Sequence, residues 1–109
     1  GFYNEFFRNI VGVSHLKDSK PFQITIRATN YGVFKLTETK KIHHSQNTIK
    51  EFGIYEDGEY GEFSLYVEAN KEFIGRILQM GDGLVVISPP EVRNMFRESV
   101  LKLADLYRN

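Results

Sequence analysis

Two stretches of the chain alternate apolar and polar residues, the period of two that is typical of strands with one buried face. They are residues 22–28 (FQITIRA) and residues 62–69 (EFSLYVEA). We predict that each forms a strand with its apolar residues against the core. The polar residues of the two stretches, which alternate with the apolar ones, are Gln23, Thr25, Arg27, Glu62, Ser64, Tyr66 and Glu68.

Two further stretches have helix-starting residues and apolar side chains at three- and four-residue steps. Residues 31–39 follow Thr29 and Asn30, whose side chains favour the N-cap position. Residues 71–78 follow Asn70, and their apolar residues form one stripe. We predict a short helix in each.

The last third of the chain predicts a helix stop, a strand and a long helix. Gly81 suits a left-handed helix end, and residues 84–87 form an apolar run typical of a strand buried on both faces. Ser88 and Glu91 have the spacing of a capping box around two prolines. The apolar residues of the final helix are Val92, Met95, Phe96, Val100, Leu103 and Leu106.

The middle of the chain completes the topology. Residues 41–52 mix polar and β-branched residues, which favours an exposed edge strand, and Asp57-Gly58 predicts a hairpin turn. The resulting order, β-α-β-β-α-β, predicts an α+β protein with a ferredoxin-like sheet, an additional C-terminal helix and a short N-terminal helical connector. In that fold the first and third strands are central, and their polar faces form an open sheet face.

Five residues are candidates for polar contacts with a ligand. Arg27 and Tyr66 are both predicted on the open face, where an arginine beside an aromatic ring suits a base or a phosphate. His44 and Gln46 are predicted on one face of the edge strand. Arg76 lies off the apolar stripe of its helix. Each also has a plain structural interpretation, as a solvent-exposed residue or as one covered by a second domain or subunit.

Composition narrows the function classes. The net charge is +0, but basic residues dominate residues 1–50 and acidic residues dominate residues 51–109. A neutral total argues against general nucleic-acid affinity. Cysteine is absent, which fits a cytoplasmic location, and the histidine spacing favours no metal site. The chain has no catalytic motif, phosphate loop or dinucleotide fingerprint, so we expect no enzyme and no cofactor.

Three stretches together resemble one family. Residues 73–107 are similar to the C-terminal extension (WCX) of WYL-domain transcriptional regulators, which ends in a helix, a glycine, a valine-rich strand, a proline and a final helix. Residues 41–46 (KIHHSQ) resemble the "lHxSQ" stretch of that extension. Residues 7–13 (FRNIVGV) resemble the connector that leaves the WYL domain.

The resemblance implies a bacterial regulator with a helix-turn-helix DNA reader, a WYL sensor domain and this extension last. Such proteins are usually dimers, and several respond to nucleotide-like or nucleic-acid effectors. The chain has no tryptophan, so the WYL tripeptide is absent, and operator DNA would be bound only through another domain. We expect a connector in residues 1–14 and the extension domain in residues 15–109.

The predicted function is therefore non-enzymatic: effector sensing and dimerisation within such a regulator, with no membrane segment. Two alternatives stay open. One is a stand-alone module of ferredoxin-like fold that binds a small molecule. The other is a small acylphosphatase-like enzyme, which would need an anion-binding loop and an arginine after the first strand. That position reads Ala28-Thr29-Asn30-Tyr31 here, which argues against it.

Overall fold

A computed structural model describes residues 20–108 of the chain. It contains four strands and three helices, in the predicted order. They are β1 (Pro21–Ala28), α1 (Tyr31–Thr39), β2 (Asn47–Tyr55), β3 (Gly58–Glu68), α2 (Lys71–Leu78), β4 (Leu84–Ser88) and α3 (Pro90–Leu106), with a 3-10 turn at Gly81–Gly83 before β4. The predicted connector, residues 1–14, lies outside the described residues.

The four strands form one antiparallel sheet in the order β2-β3-β1-β4. The protein is thus α+β with a C-terminal helix, as predicted, and β1 and β3 are the central strands. Their register places Arg27 opposite Glu62 and Gln23 opposite Tyr66. Residues directly opposite in an antiparallel pair point to the same face, so the polar residues of both strands share one face.

The apolar faces of β1 and β3 build the core together with the helices. Phe34 of α1 stacks on Phe63 of β3 with ring centroids 4.9 Å apart, and both are buried. Gly61 leaves the space that the Phe34 ring occupies, because a Cβ atom there would overlap the ring. Among the described residues, buried apolar side chains of β1, β3 and all three helices belong to one cluster.

The helix starts are as predicted for α1 and α2. The Asn30 side chain accepts a hydrogen bond from the Val33 N–H, and the Asn70 side chain accepts one from the Phe73 N–H, each at 2.9 Å. Gly81 has the left-handed φ of +59° that its position required. These local signals could be read from the sequence because their partners lie within three residues.

The predicted capping box at the start of α3 is wrong. Pro89 is the N-cap residue, and no side-chain hydrogen bond caps the helix. Ser88 instead ends β4, where it pairs with Thr25 of β1. The strand extends one residue further than the apolar run, so Ser88 lies in the sheet and Pro89 takes the N-cap position.

The predicted burial of β4 on both faces is also wrong. The strand β4 lies at a sheet edge, and its Val85 and Ile87 are only half-buried. In α3, Val100 and Leu106 are 49% and 72% exposed. The helix has 17 residues, about 26 Å at 1.5 Å per residue, and extends beyond a five-residue strand. Its last turns therefore have no sheet to cover.

The predicted edge strand begins later than expected. Residues 41–46 form a loop, and β2 starts at Asn47. The His43 and His44 rings lie side by side in a turn, with centroids 4.0 Å apart, rather than on opposite faces as neighbours in a strand would. Gln46 does not share a strand face with His44, because its side chain is buried and His44 is exposed.

Candidate functional site

Gln46 holds the loop between α1 and β2 in place. Its Nε2 donates to the Thr37 carbonyl at the end of α1, and its Oε1 accepts from the Ile42 N–H, each at 2.9 Å. The residue is 2% exposed. Both ends of the amide are used, as burial of a polar group requires. Gln46 is therefore a structural residue of this loop rather than a residue open to a ligand.

His43 and Ser45 join the same loop to the edge of β3. The Tyr66 N–H donates to Ser45 Oγ at 2.8 Å, and Ser45 Oγ also lies 2.7 Å from His43 Nδ1 and 3.2 Å from the Tyr66 carbonyl oxygen. The Ser45 N–H donates to His43 Nδ1 at 3.2 Å. We assign Nδ1 as an acceptor on that basis, which puts the ring proton of neutral His43 on Nε2.

Arg76 fixes the loop from the side of α2. Its Nη1 donates to the Ile42 carbonyl at 2.7 Å, and its Nη2 reaches the Lys41 carbonyl at 3.3 Å. The guanidinium group therefore serves two backbone acceptors of the loop while its positive charge stays beside them. The loop, the edge of β3 and α2 are thereby joined into one frame.

A cleft of about 350 Å³ lies inside this frame, within the size range of small-ligand sites. Tyr66 is its exposed aromatic residue, at 54%, whereas Phe73 is buried. Its charged lining residues are Glu68, Glu72 and Arg76, and Glu72 and Arg76 lie one turn apart on α2. The remaining lining residues are Pro21, Ile42, His43, Val67, Asn70 and Phe73. We call this space the Tyr66 cleft.

Arg27 lies at the other end of the open sheet face and is engaged there. Its Nε and Nη2 both lie 2.8 Å from Glu62 Oε2, and its guanidinium carbon lies 3.7 Å from the centroid of the Tyr60 ring. Tyr60 and Glu62 are 4% and 6% exposed. Arg27 is thus part of a buried arginine–carboxylate–aromatic cluster.

A hydrogen-bonded group surrounds the Tyr60 hydroxyl. The Tyr60 hydroxyl donates to Asp57 Oδ1 at 2.6 Å, and Lys50 Nζ lies 3.4 Å from the hydroxyl oxygen. The hydrogen bond raises the pKa of Tyr60 and lowers the pKa of Asp57. The pKa of Lys50 is raised mainly by its own hydrogen bond to Tyr60. Tyr55 stacks on Tyr60 with centroids 4.9 Å apart, so this end of the face is already filled.

The structure brings together only part of the predicted ligand site. Tyr66 and Arg76 line the same cleft, whereas Arg27 is four residues along β1 from Gln23, the residue opposite Tyr66. That offset is about 13 Å at 3.3 Å per residue. His44 is exposed in the loop and is not among the cleft-lining residues.

Sequence reasoning missed four residues that matter for the cleft: His43, Ser45, Glu68 and Glu72. Two signals could have found some of them. The "lHxSQ" pattern contains His43 and Ser45 but treats His44 as its variable position. The even positions of β3 carry Tyr60 and Glu62, and again Tyr66 and Glu68, on one face.

A second, mostly apolar groove of about 500 Å³ lies between α2, β4 and α3. Arg93 and Arg97 of α3 are its basic residues, and Arg93 Nη1 donates to the Val86 carbonyl at 2.7 Å. Val100 and Leu101 continue the groove onto the exposed side of α3. This surface is apolar and offers no reactive group.

Within residues 20–108, no three His, Asp or Glu side chains come together as a group able to hold a metal ion. No helix in that part of the chain is both long and apolar enough to cross a membrane.

Comparison with protein families gives a match over most of the described residues. The model of the WCX domain family matches residues 20–104, and those residues contain the whole sheet and the three helices except the last two residues of α3. This chain belongs to the WCX domain family. The resemblance that the sequence suggested, to the C-terminal WCX domain of WYL-type regulators, is thereby confirmed. A search of curated proteins and a search of solved structures each found no match.

In this WCX domain the "lHxSQ" stretch has a structural role. Its serine bonds the edge of β3 at Tyr66, its histidine bonds that serine, and its glutamine ties the loop to α1. The pattern therefore describes how one wall of the Tyr66 cleft is built. Tyr66, Glu68 and Glu72 are the polar side chains that this construction presents.

Proposed function

We propose that this WCX domain is a non-enzymatic regulatory domain of a WYL-type transcriptional regulator, and that it contacts an effector or partner through the Tyr66 cleft. The observation that carries the proposal is the exposure of Tyr66 inside a cleft whose loop is held by hydrogen bonds to β3, α1 and α2. The backbone and the loop side chains around it are bonded to one another, so a rigid frame presents one open aromatic ring.

Rigidity of this kind suits recognition. A ligand that enters a preformed site does not have to order the loop, so less binding free energy is lost to conformational entropy. Catalysis would need a nucleophile and a base in contact. Ser45 Oγ and His43 Nδ1 are in such contact at 2.7 Å, but Ser45 Oγ also accepts from the Tyr66 N–H and lies 3.2 Å from the Tyr66 carbonyl oxygen, so this pair ties the loop to the β3 backbone. The arrangement therefore favours binding over chemistry.

The strand order β2-β3-β1-β4, with both crossover helices leading between strands of one antiparallel sheet, supports a ferredoxin-like assignment for the domain. In this proposal α3 is the addition to that pattern. The open sheet face then faces the rest of the regulator, with the Tyr66 cleft at one end and the Arg27 cluster at the other.

Substitution of Tyr66 tests the proposed role of the cleft. In the full-length regulator, we expect Tyr66→Ala to abolish the change in target transcription that the regulator normally produces, at unchanged protein level. Tyr31→Ala is the matched control, because Tyr31 is 58% exposed against 54% for Tyr66 and does not line the cleft. Quantitative transcript measurement in strains carrying each variant provides the readout. Normal regulation by Tyr66→Ala would refute the proposal.

We also propose that α3 contributes to a homodimer contact. Its outer side exposes Val100 and Leu101, 49% and 53% exposed, beside the apolar groove. If two copies pack α3 antiparallel about Leu101, Arg97 of each copy lies opposite Asp105 of the other, because both are four residues from the centre. The apolar centre and the opposite charges at its ends are self-complementary, as a twofold interface requires.

Leu101→Glu tests the dimer contact. We expect it to shift the 109-residue chain from dimer to monomer in sedimentation equilibrium, because two buried glutamates would meet at the twofold axis. Leu36→Glu is the control, since Leu36 is similarly exposed at 47% but lies on α1. A wild-type chain that is monomeric at high concentration, or a Leu101→Glu variant that stays dimeric, would contradict this interface.

A further inference from the structure

The strand β3 carries the same pair of side chains twice on its open face. Tyr60 and Glu62 are two residues apart, and so are Tyr66 and Glu68. Since side chains alternate between faces, both pairs point to the face away from the helices. The two pairs differ in what lies over them, and that difference indicates what the second pair can bind.

The first pair holds a guanidinium group. Arg27 crosses from β1, places its guanidinium carbon 3.7 Å from the Tyr60 ring centroid and forms an ion pair with Glu62 at 2.8 Å. Cation–π attraction and a charge-assisted hydrogen bond act on the same planar cation. In this protein a tyrosine and a glutamate two residues apart on one strand thus bind a guanidinium group.

The second pair has no such cation from within the described residues. Gln23 lies opposite Tyr66 and donates through Nε2 to the Leu65 carbonyl, and Pro21 lies opposite Glu68. Neither can supply a positive charge. Among residues 20–108, the carboxylate of Glu68 takes part in no ion pair, and the same holds for Glu72, which also lines the cleft.

The charges of the cleft favour the same class of ligand. Glu68 and Glu72 line it, and Arg76, the opposing charge, donates to two loop carbonyls. A phosphate placed over Tyr66 would lie on the same strand face as the Glu68 carboxylate two residues away, and like charges repel. A planar cation there could stack on the ring and donate to a carboxylate, as Arg27 does.

We propose that the Tyr66 cleft binds a guanidinium group, stacked on Tyr66 and paired with Glu68. The group belongs to an arginine side chain of a polypeptide or to a small guanidinium compound, which share this chemistry. The inference rests on the proposed function for the importance of the cleft, and it names the chemistry that the cleft recognises. The proposed ligand of the cleft is a cation, unlike the anionic, nucleotide-like effectors that the family resemblance suggested.

Titration of the 109-residue chain followed by amide NMR shifts tests the inference. The probes are N-acetyl-arginine amide, which mimics an arginine within a polypeptide, free arginine, N-acetyl-lysine amide and inorganic phosphate. We expect the arginine amide to shift the amides of Tyr66 and Glu68 to saturation. Tyr66→Ala and Glu68→Gln should each weaken this binding at least about tenfold. Glu59→Gln, an exposed glutamate elsewhere on β3, should leave it unchanged.

The outcomes separate the possibilities. Tighter binding of the blocked amide than of free arginine assigns the ligand to a polypeptide, and the reverse assigns it to a small molecule; both support a guanidinium site. Equal binding of the lysine amide, binding of phosphate in the cleft, or no cleft shifts at about 50 mM arginine amide would each overturn the inference. If the titration fails while Tyr66→Ala still abolishes regulation, the guanidinium assignment is wrong and the proposed function stands.

Discussion

Replacing Gln46 with leucine is expected to lower the free energy of unfolding by about 2–4 kcal/mol, the largest effect we predict for a single side chain of the loop. The amide is 2% exposed and bonds the Thr37 carbonyl and the Ile42 N–H. Leucine has a similar volume, so packing is largely kept. Both backbone groups, however, would be left in a buried position with their hydrogen bonds removed.

Urea denaturation of the 109-residue chain measures this effect. Gln79→Leu is the control: Gln79 is exposed at the end of α2, and we expect a change within about 0.5 kcal/mol. The loop that forms one wall of the cleft should also change conformation in Gln46→Leu. We expect the largest changes in amide NMR shifts in residues 41–46 and at Tyr66. A loss no larger than that of the control would show that the Gln46 bonds do not hold the loop.

Replacing Glu62 with glutamine is expected to lower the free energy of unfolding by about 2 kcal/mol. The Glu62 side chain is 7% exposed and the Arg27 side chain 26% exposed. Glutamine keeps the shape but removes the negative charge, so the Arg27 guanidinium would remain partly buried over Tyr60 without its counter-charge. Because Arg27 keeps some contact with water, the loss is smaller than that for a fully buried pair.

A double-mutant cycle checks whether the pair is the cause. Arg27→Gln together with Glu62→Gln should cost less than the sum of the two single changes, because removal of both charges leaves neither uncompensated. Glu59→Gln serves as the surface control on the same strand. Strict additivity of the two single changes would contradict the coupling and would weaken the Tyr60–Glu62 pair as an example of guanidinium recognition.

Local signals in the sequence predicted most of the fold correctly. Strands β1 and β3 followed from their alternation, and the starts of α1 and α2 followed from Asn30 and Asn70. In each case the residues that decide the structure lie within a few positions of one another. The predicted start of α3 was wrong because Ser88 pairs with Thr25 of β1 in the sheet, and Thr25 is distant in sequence.

The loop before β2 shows where this kind of prediction stops. Residues 41–46 contain histidine, isoleucine and glutamine, and their composition alone permits a strand. What prevents it is a set of distant bonds: Gln46 to Thr37 and Arg76 to Ile42. The Arg76 bond joins residues 34 positions apart, and no periodicity in the sequence reports it.

The candidate site was predicted in its residue types but not in its pairing. An arginine and a tyrosine on the open face were expected to act together, and the face is as predicted. The register decides the partners: Arg27 lies beside Tyr60 and Glu62, and Tyr66 lies in a separate cleft. Because β3 carries a tyrosine and a glutamate two residues apart at two places, Arg27 could contact either pair. Only the register between β1 and β3 decides which pair it contacts.

The comparison of Tyr66→Ala with Tyr31→Ala in the full-length regulator tests the central claim most directly. The two tyrosines are almost equally exposed, so a general effect of losing a surface ring would appear in both variants. We predict that target transcription no longer responds in Tyr66→Ala and responds as in the wild type in Tyr31→Ala. An equal response in both variants would show that the Tyr66 cleft is not where this domain exerts its regulatory effect.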